Sequence, residues 1–233
     1  MSSDAFGDIA GLVRRRAGIV LTPDKAYLLE TRLGPVLARF GLATLAALAA
    51  KLRGLPGEEM ERAVVEALTT HESSFFRDSK PFEHLATLLP RLAAARPATQ
   101  PLRIWSAACS SGQEPYSIAM LTADTLPGRR VEILATDISR EVLERAKEGS
   151  FTQFEVQRGL PIRSLMKHFR QDGARWRISD ALRAMVRFEE RNLLGELATL
   201  GRFDAIFCRN VLIYFDAPTK TRVLEAMGRM LAP

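Results

Sequence analysis

The amino-acid sequence predicts an α/β protein in which an all-α N-terminal segment is followed by a parallel β-sheet with helices between its strands. Two observations carry this prediction. Residues 1–70 place apolar side chains at helical spacing, and after Pro101 short apolar runs alternate with helical segments. Alternation of strand and helix is typical of a parallel sheet with right-handed connections.

Turn-forming residues divide the N-terminal segment into helices. Thr22 is the expected N-cap of the second helix, because Pro23 follows it and suits the first helical position. Gly34 and Pro35 predict a kink or a break in that helix, since proline removes a backbone donor. The predicted helices lie near residues 4–17, 22–41, 44–53 and 58–70.

The α/β part begins after a candidate linker at residues 93–99. In a doubly wound sheet the ligand lies where the strands end, beside the first loop. The residues that follow the first two strands are therefore the first candidates for a binding site. Strands are predicted near 102–105, 131–136 and 203–208, and helices near 114–126, near 139–149 and from 218 onward.

Composition excludes several classes of protein. With 47% hydrophobic and 26% charged residues, the chain is typical of a soluble globular protein. Its apolar stretches, such as Leu42–Ala50, are far shorter than the roughly 20 residues that span a bilayer. The N-terminus shows no signal-peptide pattern, so we expect a cytoplasmic protein. Cys109 and Cys208 are too few for a disulfide framework, and three histidines lack metal-ligand spacing, so we expect no metal.

The net charge of +6 is concentrated in one segment. Residues 151–188 contain eight lysines and arginines against three acidic residues. Two interpretations stay open: a solvated surface, or a basic rim that attracts an acidic partner. The segment lacks the interleaved aromatic residues of a nucleic-acid surface, so we expect no nucleic-acid partner.

The loop after the first strand, Ser106–Glu114, consists mostly of small residues, so a ligand can approach its backbone closely. It lacks the G-x-G-x-x-G pattern of a dinucleotide site. Glu114 stands where a helix begins; it either complements the helix dipole or binds a cation such as an ammonium group. Asp137, at the end of the second strand, either binds ribose hydroxyls or belongs to the first turn of the next helix.

Five segments resemble the CheR family, the chemotaxis methyltransferases that esterify receptor glutamates. They occur in the order and spacing of that family and cover nearly the whole chain. The segment FCRNVLIYF is far more specific than a glycine-rich loop. The five segments are LTTHESSFFRD (68–78), WSAACSSGQEPYSIA (105–119), ATDIS (135–139), RNLL (191–194) and FDAIFCRNVLIYF (203–215).

The resemblance implies a Rossmann-like S-adenosylmethionine-dependent methyltransferase domain with an all-α N-terminal domain and a small inserted subdomain. The cofactor would be S-adenosyl-L-methionine and its product S-adenosyl-L-homocysteine. The domains implied are a helical domain over 1–78, a linking helix and linker over 79–100, and a methyltransferase domain over 101–233 whose basic subdomain spans about 151–188.

The resemblance also implies which residues bind the cofactor. Ser73 and Arg77 would reach its methionyl carboxylate, beside His71, where the family often has asparagine. Glu114 would bind the ammonium group and Asp137 the ribose. The remaining implied contacts flank the adenine or close the site: Asn192, Leu193, Arg209 and Asn210.

Simple acid–base chemistry fits this activity. A glutamate acceptor has a pKa near ~4.3, so it is already a nucleophilic carboxylate at neutral pH and needs no general base. Tyr214 is the candidate catalytic residue that orients the acceptor or the methyl group; the alternative is a core aromatic beside Phe215.

The implied partners are the cytoplasmic domains of membrane chemoreceptors. Lys25, Arg32 and Arg39 recur every seven residues, and this basic face either docks acidic receptor helices or is simply solvated. The loop Arg170–Trp176 is shorter than the glycine-rich loop of relatives that bind a receptor's C-terminal pentapeptide, so we expect a tether-independent type.

Family members continue past Leu-x-Pro with two more strands, which this sequence does not contain. This keeps open a rival function, a non-catalytic CheR-like module that binds cofactor or receptor. A separate rival is a methyltransferase for nucleic acid or small molecules. The absence of an Asp/Asn-Pro-Pro-Tyr motif disfavours nucleic acid as the acceptor.

Overall fold

The computed structural model describes residues 3–232. Internal contacts group them into two compact units. We call the first the helical unit: the chain up to Thr70, with Asn192–Gly195 and Asn210–Glu225. We call the second the sheet unit: His71–Arg191, Glu196–Arg209 and the residues from Ala226 onward. The domain limits drawn from sequence order stay a prediction.

The helical unit is built around the apolar faces of short helices. Residues Ile9, Leu29, Leu48 and Val64 are fully buried. The break predicted at Gly34 is confirmed, because one helix ends at Arg32 and the next begins at Gly34. The helices are α1 (Ser3–Ala17), α2 (Ala26–Arg32), α3 (Gly34–Arg39), α4 (Leu45–Arg53) and α5 (Glu58–Leu68).

One detail of the N-terminal prediction is right and another is wrong. Thr22 is the N-cap residue of the 3₁₀ turn Pro23–Lys25, which leads directly into α2, although its side chain makes no capping hydrogen bond. Lys25, Arg32 and Arg39 do not line one continuous helix, because they belong to that turn, to α2 and to α3. The glycine–proline break interrupts the single helix that the seven-residue spacing assumed.

The main elements of the sheet unit alternate as the sequence predicts. Ser139 accepts a hydrogen bond from the Val142 amide at 3.5 Å and so caps the helix that follows it, as expected. Gly149 ends that helix in the left-handed conformation. The first elements are α6 (Lys80–Ala94), β1 (Leu102–Ala107), α7 (Gln113–Thr125), β2 (Val131–Asp137) and α8 (Arg140–Glu148).

An inserted segment follows α8 and forms a small antiparallel sheet of its own in the order β3-β5-β4. The sequence predicted a basic insertion here but not its strands. Its elements are β3 (Ser150–Thr152), α9 (Gln153–Gln157), α10 (Ile162–His168), β4 (Phe169–Asp172), β5 (Arg175–Ile178) and α11 (Asp180–Arg183).

The predicted parallel sheet is confirmed. The remaining elements are β6 (Val186–Glu190), β7 (Ala205–Cys208) and α12 (Ala217–Met230), with 3₁₀ turns at Ala198–Leu200 and Leu212–Tyr214. Among the described residues the order is β6-β2-β1-β7, and every pair is parallel. Ala107 at the end of β1 lies opposite both Thr136 and Cys208. We call this common end of the strands the carboxyl edge.

Buried side chains of the sheet unit connect its strands near the carboxyl edge. Trp105 of β1 is fully buried, donates from its ring nitrogen to the Thr136 hydroxyl at 2.9 Å and stacks on Phe203. No helix among residues 3–232 combines the length and apolar character that a membrane crossing needs.

Candidate functional site

The loop that leaves β1 is held in a strained conformation at the carboxyl edge. Ala108 and Ser110 adopt φ of 57° and 51°, a region that non-glycine residues seldom occupy. Gly112 has a φ of 94°, and an added Cβ would lie 3.0 Å from the Cβ of Ala146. Strain of this kind is typical of ligand-binding loops, where the surrounding structure maintains it.

Asp137 ties this loop to the next helix. The side chain is buried, and its Oδ2 accepts the Ser110 amide at 2.8 Å while Oδ1 accepts the Ser139 amide at 3.1 Å. Asp137 is thus the last residue of β2 and lies outside the first turn of α8, although its side chain accepts the amide of Ser139, the residue that caps α8. These contacts do not exclude ligand binding, because each carboxylate oxygen has a second lone pair.

Glu114 places a second carboxylate at the carboxyl edge. Its Oε1 accepts the Ser106 hydroxyl at 2.7 Å, and its Oε2 lies 2.9 Å from Nη1 of Arg209. Burial raises the pKa of Glu114, against the opposing effects of Ser106, Arg209 and Arg77. A further cation at this position would lower that pKa again, so the site favours a positively charged ligand group.

Arg209, directly after β7, links three parts of the edge. Besides Glu114, its Nη2 donates to the Arg77 carbonyl at 2.6 Å and to the Asp78 carboxylate at 2.7 Å. Its guanidinium lies 5.4 Å from the centre of the Phe82 ring. The Arg209 side chain thus fixes Glu114 and the 77–78 backbone, a role that sequence reasoning did not predict.

Three further residues predicted to bind the cofactor lie in the segment 71–79. The Arg77 guanidinium donates to the Glu72 carbonyl at 2.9 Å. Phe76, Asp78 and Ser79 have φ of 48°, 64° and 31°, so this turn is strained as well. His71, Ser73 and Arg77 are half-buried.

The structure therefore divides the predicted binding residues between the two units. The other predicted residues belong to the helical unit and make contacts within it. The side-chain amide nitrogen of Asn192 donates to the Arg16 carbonyl at 2.5 Å, and its side-chain oxygen accepts the Leu194 backbone amide at 3.0 Å. The half-buried Tyr214 accepts the Val20 amide through its backbone carbonyl at 2.8 Å. In the sheet unit lie His71, Ser73, Arg77, Glu114, Asp137 and Arg209; in the helical unit lie Asn192, Leu193, Asn210 and Tyr214.

Other groups at or near the edge were not predicted. The Ser110 hydroxyl is buried and finds no hydrogen-bond partner among the described residues. Burial raises the pKa of Cys109 well above its usual value and that of Cys208 to about 12, so neither thiol is an available nucleophile. Nowhere in residues 3–232 do three acidic, histidine or cysteine side chains cluster as a metal site would require.

Comparison with known proteins matches the chain to two family models. Residues 4–69 match the model described as the CheR methyltransferase all-alpha domain, and residues 71–233 match the model described as the CheR methyltransferase SAM binding domain.

Similar proteins extend over almost the whole chain. A chemotaxis protein methyltransferase of Vibrio parahaemolyticus is 40% identical, over 100% of this chain and 86% of that protein. One of Vibrio anguillarum is 41% identical with the same coverage. Chemotaxis protein methyltransferase 1 of Pseudomonas aeruginosa is 41% identical, over 95% of this chain and 83% of that protein.

Proposed function

We propose that this chain, which belongs to the CheR methyltransferase family, esterifies glutamate side chains of chemoreceptors with methyl groups from S-adenosylmethionine. The family models and the full-length relatives establish an S-adenosylmethionine-dependent methyltransferase of chemotaxis with a Rossmann-like fold. The acceptor, the carboxylate ester and the residues in the site are the parts that we propose.

The carboxyl edge fits the cofactor chemically. A buried carboxylate with a raised pKa, Glu114, suits the ammonium group of the methionyl part. The free lone pairs of Asp137 suit ribose hydroxyls. The buried Ser110 hydroxyl, unpartnered among the described residues, has a hydrogen bond still to make. Arg77 and Ser73 are proposed for the methionyl carboxylate. Of these observations, the mostly buried Glu114–Arg209 pair at 2.9 Å carries the proposal furthest, because it marks a site built for charge.

When bound, S-adenosylmethionine supplies a methyl group activated by its sulfonium, which a carboxylate oxygen accepts without transfer of a proton. The protein's residues then mainly align the reactants and exclude water, and alignment alone can supply roughly 7–11 kcal/mol. A glutamate acceptor agrees with the raised pKa values of Cys109 and Cys208, because a carboxylate needs no thiol or other base to activate it. Tyr214 is proposed to orient the acceptor.

Methyl transfer to receptor-containing membranes tests the acceptor. With cofactor labelled in the methyl group, we expect label in the receptor that mild base releases as methanol, since esters hydrolyse and methylamines do not. Base-stable label would indicate another acceptor. Cofactor binding without any transfer to receptor would support the rival, a non-catalytic binding module.

We further propose that no pentapeptide tether is needed. Strands β4 and β5 are joined by only two residues, Gly173 and Ala174, which supports a hairpin without the longer loop. Titration with a receptor's C-terminal pentapeptide should show no saturable binding, and saturation at micromolar peptide would contradict the proposal.

A further inference from the structure

The inserted segment makes a backbone contact with the 71–79 segment that leaves no room for a side chain. Gly159 follows α9, and a Cβ added to it would lie 2.0 Å from the carbonyl oxygen of Phe75. Cβ atoms do not approach a backbone oxygen so closely. Gly159 also has a φ of +83°, which suits glycine. The position of the Phe75 carbonyl therefore depends on glycine at residue 159.

Phe75 is held in place by the packing of its side chain. Its ring is fully buried, 4.9 Å from the ring centre of Phe151 and 5.7 Å from that of Phe169, both in the inserted segment. The next residue, Phe76, donates its amide to the Ser117 hydroxyl of α7 at 3.0 Å. A forced shift of the Phe75 carbonyl thus cannot be absorbed by the ring and must move the adjoining backbone.

Two residues on either side of Phe75 stand Ser73 and Arg77. A second contact acts on the same stretch: Arg158, next to Gly159, forms an ion pair with Glu72 at 3.0 Å. The Glu72 carbonyl in turn accepts the Arg77 guanidinium at 2.9 Å. The inserted segment therefore contacts the 72–77 stretch through both a backbone contact and a charged pair.

We infer that Gly159 is a positioning residue for the cofactor's methionyl end, acting through the Phe75 carbonyl on Ser73 and Arg77. This inference rests on the proposed placement of the methionyl carboxylate at those two residues. It gives the inserted segment a part in cofactor affinity, in addition to any part in receptor contact.

The test compares two ligands and two glycines. S-adenosylhomocysteine carries the methionyl carboxylate and ammonium group, whereas methylthioadenosine has the same nucleoside and lacks both. For Gly159→Ala we expect S-adenosylhomocysteine to bind at least tenfold more weakly, the loss of one charged hydrogen bond. Affinity for methylthioadenosine should change less than twofold. Gly173→Ala is the matched control, because Gly173 also has a positive φ of 58° but nothing lies within 4 Å of its added Cβ.

Equal weakening of both ligands would overturn the inference, since a general structural defect does not distinguish them, and so would unchanged S-adenosylhomocysteine binding. If Gly159→Ala does not fold, Arg158→Gln replaces it. That variant should bind S-adenosylhomocysteine about threefold more weakly and methylthioadenosine with unchanged affinity, because an exposed ion pair contributes little. If the affinity for S-adenosylhomocysteine is not selectively weakened, the inference is overturned. Arg77→Ala tests the proposed placement of the methionyl carboxylate separately from the role of Gly159. Unchanged affinity of this variant for S-adenosylhomocysteine would contradict that placement.

Discussion

Ion pairs differ sharply between the carboxyl edge and the helical unit. At the edge, the side chains of Arg209 and Glu114 are only 15% and 12% exposed. In the helical unit, Arg39 and Glu59 form a pair whose side chains are 53% and 60% exposed. Burying charge is costly, and it is repaid only when geometry and hydrogen bonds compensate. Of these two regions, the carboxyl edge is the one that accepts this cost, and it is also where a charged ligand is proposed to bind.

The same change made in each region gives the largest contrast. Glu114→Gln removes the charge proposed to meet the ammonium group and should weaken S-adenosylhomocysteine binding about 100-fold, since charged hydrogen bonds contribute ~1.5–3 kcal/mol. Glu59→Gln, the matched control, should leave affinity unchanged. Calorimetric titration of both variants measures this. If both variants bind S-adenosylhomocysteine equally well, Glu114 contributes no more to ligand binding than Glu59 does.

A second substitution at the edge tests the ribose contact. Asp137→Ala should weaken S-adenosylhomocysteine binding at least tenfold, because it removes a hydrogen-bond acceptor and also the support of the Ser110 loop. Asp137→Asn retains one carbonyl oxygen and should have an intermediate effect. Unchanged affinity in the alanine variant, measured by the same titration, would exclude Asp137 from the site.

The raised pKa of Glu114 predicts how affinity depends on pH. An ammonium group binds the ionised carboxylate, so affinity should be constant above the raised pKa and fall as pH drops through it, by up to tenfold per unit. The fall should begin above the ordinary glutamate value of ~4.3. In Glu114→Gln this fall should be absent. A profile that persists in the variant would assign the titration to another group.

The unliganded protein should show the opposite dependence of stability on pH. Because the pKa of Glu114 is raised in the folded state, its contribution to stability is present at low pH and is lost as pH rises through that pKa. The free energy of unfolding of wild type minus that of Glu114→Gln should therefore decrease as the pH rises. A difference that increases with pH would mean that Ser106 and Arg209 outweigh the effect of burial and lower the pKa of Glu114.

The smallest effect is expected in the helical unit. Arg39→Ala breaks an exposed pair, and such pairs contribute about 0.2–1 kcal/mol. The melting temperature should fall by no more than a few degrees, and cofactor affinity should stay unchanged. A large loss of stability would mean that exposed charges matter more here than the comparison assumes.

Sequence reasoning predicted the local features of this fold. The Gly34–Pro35 break and the Ser139 cap follow from residues whose effect is confined to a single turn. Strands β1, β2 and β7 of the parallel sheet were recognisable because they are apolar and bounded by turn residues. Strand β6 (Val186–Glu190) was not predicted, because three of its five residues are charged. The strands of the inserted segment were missed, since β5 (Arg175–Ile178) has only four residues and two of them are arginines.

Long-range pairings in the candidate site were beyond such reasoning. Glu114 and Arg209 lie 95 residues apart, and only the parallel register of β1 with β7 brings them together. The Gly159 contact with Phe75 likewise depends on how the inserted segment packs. The roles of Glu114 and Asp137 as acidic residues at strand ends were recognisable, but their protein partners were not.

The most direct test is a crystal structure of the protein with S-adenosylhomocysteine. We expect the ligand's ammonium nitrogen about 3 Å from a Glu114 oxygen and its ribose hydroxyls at a similar distance from the Asp137 carboxylate. Its methionyl carboxylate should lie beside Arg77. A ligand bound away from the carboxyl edge, or one whose ammonium group makes no contact with Glu114, would contradict the account.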